Sequence, residues 1–308
     1  MPATDLADLV APQPQWFKEA FAIPRRQGQV MVDGVAINYL QWGDPENPGV
    51  VMAHGMMAHA RCWAFIAPLL ASRYCLTAFD LSGMGDSGWR QTYNFEARAA
   101  ECIGVAEGVG FTHPEPPALV CHSYGGSVGL MAAERSPDAW SKLIVCDMTM
   151  LAPGEASRFE EFRKRREARK IGPHRPSADL ATVRERFKLA PPQPCDNEFL
   201  MEYMARHSVK PDEQGFIWKF DPKILVPDQE RHDEWWQSIA TRFSNLELPR
   251  AIVYGERSEM MSDAARTYVS EQTGGTVPMV QIDRAYHHIM LDQPLAVVDA
   301  LANLLEDL

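Results

Sequence analysis

Ser123 stands in Cys121-His122-Ser123-Tyr124-Gly125-Gly126, after the apolar run Ala118-Leu119-Val120 and before the small-residue stretch Ser127 to Ala133. A strand that turns sharply into a helix presents one side chain at its tip in a strained conformation, and it needs small residues two positions to either side. Gly125 supplies one of them. Cys121 stands where glycine is usual, so its thiol is expected to push the neighbouring strand slightly away. Alone, such a pattern is equally compatible with an ordinary turn serine; four further features raise its weight. The run Val50 to Ala53 ends in His54-Gly55-Met56-Met57, where glycine lets the backbone bend beside the nucleophile. The backbone N–H groups of Met56 and Tyr124 are the candidate oxyanion donors, and His54 reads as a pin for that loop. Asp80 to Ser87 packs two glycines into a turn; it has neither the Gly-x-Gly-x-x-Gly spacing nor a phosphate-loop lysine, and reads as structural. In Tyr286-His287-His288-Ile289-Met290-Leu291-Asp292-Gln293-Pro294, His287 is the candidate general base, because imidazole titrates near neutrality. His288 packs beside it. A carboxylate must hold that imidazole: Glu259, in the loop after Tyr254-Gly255, is the first choice, Asp147, at the end of an apolar run, the alternative, and Glu256 a lesser one. Met56, Met57, Met150, Trp218, Trp235 and Trp236 are candidates for an apolar substrate pocket, with core packing an equally compatible reading.

The elements that must position these groups follow from periodicity. Val30 to Val32, a turn at Asp33-Gly34 and Val35 to Trp42 make a hairpin. Buried-strand runs then alternate with helical stretches: Val50 to Ala53, Leu76 to Phe79, Ala118 to Val120, Leu143 to Cys146, Ala251 to Tyr254 and Val277 to Ile282. That alternation predicts an α/β fold with a mostly parallel sheet and helices on both faces. Between 151 and 244 the rhythm breaks into charged segments and prolines without a convincing strand, which predicts a helical cap inserted into a core of 1–150 and 245–308. An N-terminal arm carries Trp16, Phe17 and Phe21, whose rings are expected to pack on the body or on a neighbouring copy, leaving a homo-oligomer open. The 308 residues carry a net charge of −11, which argues against a nucleic-acid partner. No run approaches the roughly 18 apolar residues of a membrane span, and the first ten residues lack a signal-peptide pattern; the expectation is a cytoplasmic protein acting on a small molecule. The six cysteines form no Cys-x-x-Cys pair, and no metal-ligand spacing such as His-Glu-x-x-His occurs. Arg158, Arg163, Lys164, Arg165, Arg166, Arg169 and Lys170 read as a solvated helix face, with Glu160, Glu161 and Glu167 as partners.

Taken together, these motifs resemble those of the α/β-hydrolase fold superfamily, over nearly all of Gln29 to Leu308. His54-Gly55 matches its oxyanion loop, Asp80 to Ser87 its Asp-x-x-Gly-x-Gly-x-Ser turn, Ser123 its nucleophile and His287 its histidine seven residues before a proline, Pro294. The resemblance implies an eight-stranded sheet. It places the acid three residues after the glycine ending the seventh strand, where this chain has Ser258; members with serine there carry the acid immediately afterward, which maps onto Glu259. It further implies hydrolysis through an acyl-serine intermediate without metal or organic cofactor. Serine rather than aspartate at the elbow disfavours haloalkane and epoxide chemistry. A carboxylic ester or lactone is the expected substrate; hydrolysis of a carbon–carbon bond in ring-cleavage products, or a ligand-binding receptor retaining the triad, are the alternatives.

Overall fold

The computed structural model describes residues 6, 9–155, 157, 158, 160, 161, 164, 172, 174–225 and 229–308, with backbone alone over 229–233. After the short helix α1 (Gln15–Ala22) come β1 (Arg25–Val32) and β2 (Val35–Trp42). They pair antiparallel with Val32 opposite Val35, and the turn between them places both Asp33 and Gly34 at positive φ (49° and 76°), as a two-residue hairpin requires. β3 (Gly49–Ala53), β4 (Cys75–Phe79), helix α2 (Phe95–Gly108), β5 (Ala118–His122), helix α3 (Tyr124–Arg135) and β6 (Leu143–Cys146) follow. After a long insertion the chain returns to the sheet as β9 (Arg250–Gly255) and β10 (Met279–Ile282). The eight strands are ordered β1-β2-β4-β3-β5-β6-β9-β10, parallel from β4 onward.

Each central strand is buried on both faces, and its alternate side chains divide between two cores. Val50, Met52, Ala118, Val120, Ile144 and Cys146 face one core, with the C-terminal helix Pro294–Asp307 and the arm. Val51, Ala53, Leu119, Cys121, Leu143 and Val145 face the other, with α2 and α3. The arm's rings pack on the body and on the insertion: Phe17 meets Phe65 of the body, and Phe199 and Tyr203 of the insertion, with ring centroids 6.3, 5.0 and 5.9 Å away.

The insertion is not wholly helical. It carries the helices Leu180–Arg186 and Glu198–His207, then an antiparallel pair, β7 (Val209–Asp212) and β8 (Gly215–Trp218), and last the helix Gln229–Asn245. The hairpin escapes a periodicity reading because it is isolated from the main sheet and does not alternate buried with exposed residues. The final helix packs on α3 and on the helix Asp263–Gln272. Its Ile239, Ala240 and Phe243 are fully buried in the α2/α3 core, so this part of the insertion belongs to the sheet's helical layer. Elsewhere the contacts that tie the insertion to the core include the Asp221 N–H donating to the Gly83 carbonyl and the Tyr93 hydroxyl to Asp221 Oδ2, at 2.8 Å each, and Gln193 and Asn197 reaching the histidine loop. Among the described residues no helix is long and apolar enough to cross a membrane.

Candidate active site

β5 ends at His122, and Ser123 turns the chain at φ 54°, ψ −121°, into α3. For a serine that positive φ is strained, and it is held by close backbone packing. A Cβ on Gly125 would stand 2.6 Å from the His54 carbonyl oxygen, so only glycine lets the elbow seat against the end of β3. The expected displacement by Cys121 is met differently. Strand pairing stays regular through Ala53, Cys121 and Val145, and α3 carries the compensating glycine: a Cβ on Gly129 would lie 2.5 Å from Cys121 Sγ.

Ser123 Oγ lies 2.8 Å from His287 Nε2, and His287 Nδ1 lies 3.0 Å from Asp147 Oδ1. A carboxylate only accepts, so Nδ1 carries the proton and Nε2 is left to accept from the serine. Asp147 immediately follows β6 at φ 46° and is fully buried. Its charge is compensated by fixed donors, as a buried carboxylate requires: the Gly255 N–H donates to Oδ2 at 2.7 Å and the Ser258 hydroxyl to Oδ1 at 2.6 Å. This corrects the expectation for Glu259. Glu259 is exposed, and it meets Arg158 through its backbone carbonyl. The loop after β9 supports the carboxylate with Ser258 instead of bearing it. Glu256 is exposed too, accepting from the Arg284 N–H at 2.6 Å.

Beside this line of groups, a Cβ on Gly55 would stand 3.2 Å from Ser123 Cβ, so the turn after β3 runs against the serine. Met56 follows Gly55, and Tyr124 opens α3. Neither N–H meets an acceptor among the described residues. His54 pins the loop: its Nε2 accepts from the Leu81 N–H at 3.0 Å, which leaves Nδ1–H to donate to the Gly55 carbonyl at 2.7 Å. Burial lowers its pKa to about 4. The turn 80–87 is structural, as expected: the Asp80 carboxylate accepts from Ala60 N, Asn38 Nδ2 and Asp86 N, and a Cβ on Gly85 would fall 2.3 Å from it.

Three groups at the site lie beyond the sequence reading. His122 Nε2 donates to the His287 carbonyl at 3.0 Å, bracing the loop that carries the imidazole. Asp292 accepts from the Tyr286 N–H at 2.7 Å and from Gln193 Nε2, and burial raises its carboxyl to about 6. Gln193 Oε1 accepts from the His288 N–H at 2.9 Å. The signal for His122 is its place at the end of a buried strand; the signal for Gln193 lies in tertiary structure alone.

A cavity of about 220 Å³ opens at this edge of the sheet, lined by Met56, Met57, His122, His288 and Met290 from the body and by Phe187, Leu189, Met204 and Trp218 from the insertion. Of the expected pocket residues, Met56, Met57 and Trp218 are therefore in its wall. Met150 and Trp235 are not. Met150 is fully buried where its N–H donates to Met260, and Trp235 packs in the α2/α3 core against Phe95, with centroids 5.3 Å apart. Trp235 and its partly buried neighbour Trp236 belong to the helix that joins the sheet's helical layer, which is why their bulk serves packing there. Lys164 pairs with Glu160 at 3.7 Å across one helical turn; Arg163, Arg165, Arg166, Glu167, Arg169 and Lys170 lie outside the described residues.

Residues 50–300 match the model of the alpha/beta hydrolase family. The chain belongs to that family. It is 32% identical over 116 residues to the uncharacterized hydrolase YugF of Bacillus subtilis (strain 168), a stretch covering 37% of this chain and 41% of that protein. It is 33% identical over 138 residues to a fluoroacetate dehalogenase of Burkholderia sp, covering 42% and 44%. The chain thus spans less than half the length of these curated relatives. Among solved structures, E-2-(acetamidomethylene)succinate hydrolase superposes with a TM-score of 0.76 at 20% identity over 92% of this chain and all of that one. The thioesterase domain from the curacin biosynthetic pathway gives 0.74 at 21%, over 91% and 99%. These likenesses are of fold.

Proposed function

We propose that the protein is a serine hydrolase that cleaves a carboxylic ester or lactone through an acyl-serine intermediate, with Ser123 as nucleophile, His287 as general base and Asp147 as its acid partner. The observation that carries this reading is the continuous hydrogen-bonded line from Ser123 Oγ through both ring nitrogens of His287 to Asp147. As Ser123 Oγ attacks the acyl carbon, its proton passes to His287 Nε2, and the imidazolium so formed faces the Asp147 carboxylate across Nδ1–H. The tetrahedral oxyanion is received by the N–H groups of Met56 and Tyr124, donors that are typically worth about 3–4 kcal/mol each in such sites. Collapse breaks the bond to the leaving alcohol, which takes the proton back from Nε2. Water then repeats the sequence on the acyl-enzyme, so that acid, alcohol and free Ser123 are restored.

The insertion acts as a cap: its residues 187–189, 204 and 218 close one side of the cavity beside His122 and Met56. An apolar wall of this kind favours an apolar acyl or ring substrate. Rapid mixing with a p-nitrophenyl ester tests the reading. A burst of nitrophenol equal to the enzyme concentration is expected whenever deacylation is the slower step, with no turnover in Ser123→Ala. Turnover by Ser123→Ala at the parent rate would refute it.

A further inference from the structure

The cavity beside the nucleophile is apolar in its walls and cationic at its edge. Arg186, Lys188 and Lys219 line it, and none of the described residues around it is an aspartate or a glutamate. Its other titratable groups are uncharged near neutrality: burial lowers His122 to about 3, holds His59 and His288 well below the ordinary imidazole range, and pushes the Cys62 thiol up. The chain as a whole carries a net charge of −11, so the sign at this opening runs against the molecule's average. One segment supplies both characters. Helix Leu180–Arg186 ends there, and Phe187 continues extended at φ −68°, ψ 122°. Side chains along an extended segment alternate. Phe187 is half-buried with its ring 6.4 Å from that of Trp218, and Leu189 is buried, whereas Arg186 and Lys188 are exposed.

Of the three cations, Lys219 is compensated by Asp86 at 2.6 Å. The other two are not. Arg186 Nη1 donates to the Arg175 and Pro176 carbonyls at 3.0 Å each and to Ser177 Oγ at 2.8 Å, all of them uncharged acceptors. Its Nε and Nη2, the Lys188 ammonium and the Trp218 indole N–H meet no acceptor among the described residues. Uncompensated charge of one sign at a cleft with low-dielectric walls focuses the field and raises the local concentration of the opposite charge. Charged donors also bind a carboxylate about twice as strongly as neutral donors do. A wholly hydrocarbon substrate would use Phe187, Leu189 and Met204 and leave this edge idle. We infer that the cavity selects esters with an apolar body and an anionic end, a carboxylate, received by Lys188 and Arg186. The inference rests on the serine-hydrolase reading and adds the substrate class to it.

The test is selectivity. Nitrophenol release gives kcat/KM for the mono-p-nitrophenyl esters of adipate, pimelate and suberate against the methyl p-nitrophenyl diesters of the same acids, which place the charge on the acyl side. On the leaving-group side, 3-carboxy-4-nitrophenyl butanoate is set against 4-nitrophenyl butanoate. Each value is corrected for the rate with Ser123→Ala and divided by the rate with hydroxide, which removes intrinsic reactivity. In at least one pair the anionic ester is expected to be favoured about threefold or more, the scale of a partly solvated charge pair. That preference should vanish or reverse in Lys188→Glu, a change at an exposed side chain; if the variant fails to fold, the wild-type ratios decide. Ratios below about threefold in every pair overturn the inference, as does a preference that folded Lys188→Glu keeps. Labelling of Ser123 by a fluorophosphonate in the same preparation separates the two readings. Without it the serine-hydrolase reading falls; with it and no preference, only the substrate class does.

Discussion

Ser258 occupies the place where the sequence resemblance implies a carboxylate, and its hydroxyl reaches 2.6 Å to Asp147. Its partnership with Gly255 N–H explains how the carboxylate stands one strand away, after β6, and still meets His287 Nδ1. Asp147→Asn should therefore lower kcat by about 10⁴, the scale of the equivalent change in a serine protease triad. Glu259→Gln should stay within about twofold, as an exposed side chain away from the imidazole should. Steady-state kinetics on one ester decide between the two; the reverse order would return the acid to the loop after β9. The proposed nucleophile and base are legible in the sequence because their residue types and spacing have few other uses. The proposed acid is not. Two loops offered carboxylates, and spacing alone does not say which side chain turns inward, although Asp147 directly follows four fully buried strand residues, where a charged group calls for a partner.

At the scale of elements, the pair Cys121 and Gly129 shows how a departure from the usual elbow pattern is absorbed. Bulk added on the strand is removed from the helix one turn in, and the sheet register is undisturbed. Gly129→Ala should destabilise the protein by about 1–3 kcal/mol through overpacking against the thiol, and a good part of that loss should disappear when the same change is made in a Cys121→Gly background. Urea unfolding of the four proteins gives the coupling; strictly additive effects would show that the two residues do not share the space. The strands of the main sheet could be read from their runs, since burial on both faces leaves continuous apolar sequence. The hairpin at 209–218 and the attachment of Gln229–Asn245 to α3 could not, because a two-stranded ribbon without alternation has no period to detect and helix docking depends on which elements lie nearby. For the same reason the sequence leaves Trp235 open between pocket and core, and the structure puts it in the core.

Across the whole molecule, the site edge is unusually rich in buried neutral imidazoles. His54 and His122 are lowered from 6.5 to about 4 and about 3, and His59 and His288 lie well below the usual range, all chiefly by desolvation. A depressed pKa contributes stability that is complete above about pH 6.5 and is lost as the pH falls toward the folded value, at about 2 kcal/mol for each of His54 and His122 by pH 5. Asp292, raised to about 6 by burial, works in the opposite sense by about 1 kcal/mol over the same window. The histidines outweigh it. The urea midpoint should drop between pH 7 and pH 5, and a midpoint that rises on acidification would contradict this balance. The central claim is more direct, that one serine among all those in the chain is activated by the His287–Asp147 pair. Reaction with a fluorophosphonate followed by peptide mass spectrometry tests it: the account predicts one phosphonyl group per chain on the peptide carrying Ser123, and none in His287→Ala over the same time. Stoichiometric labelling of a different serine, or labelling of Ser123 that His287→Ala leaves unchanged, would contradict it.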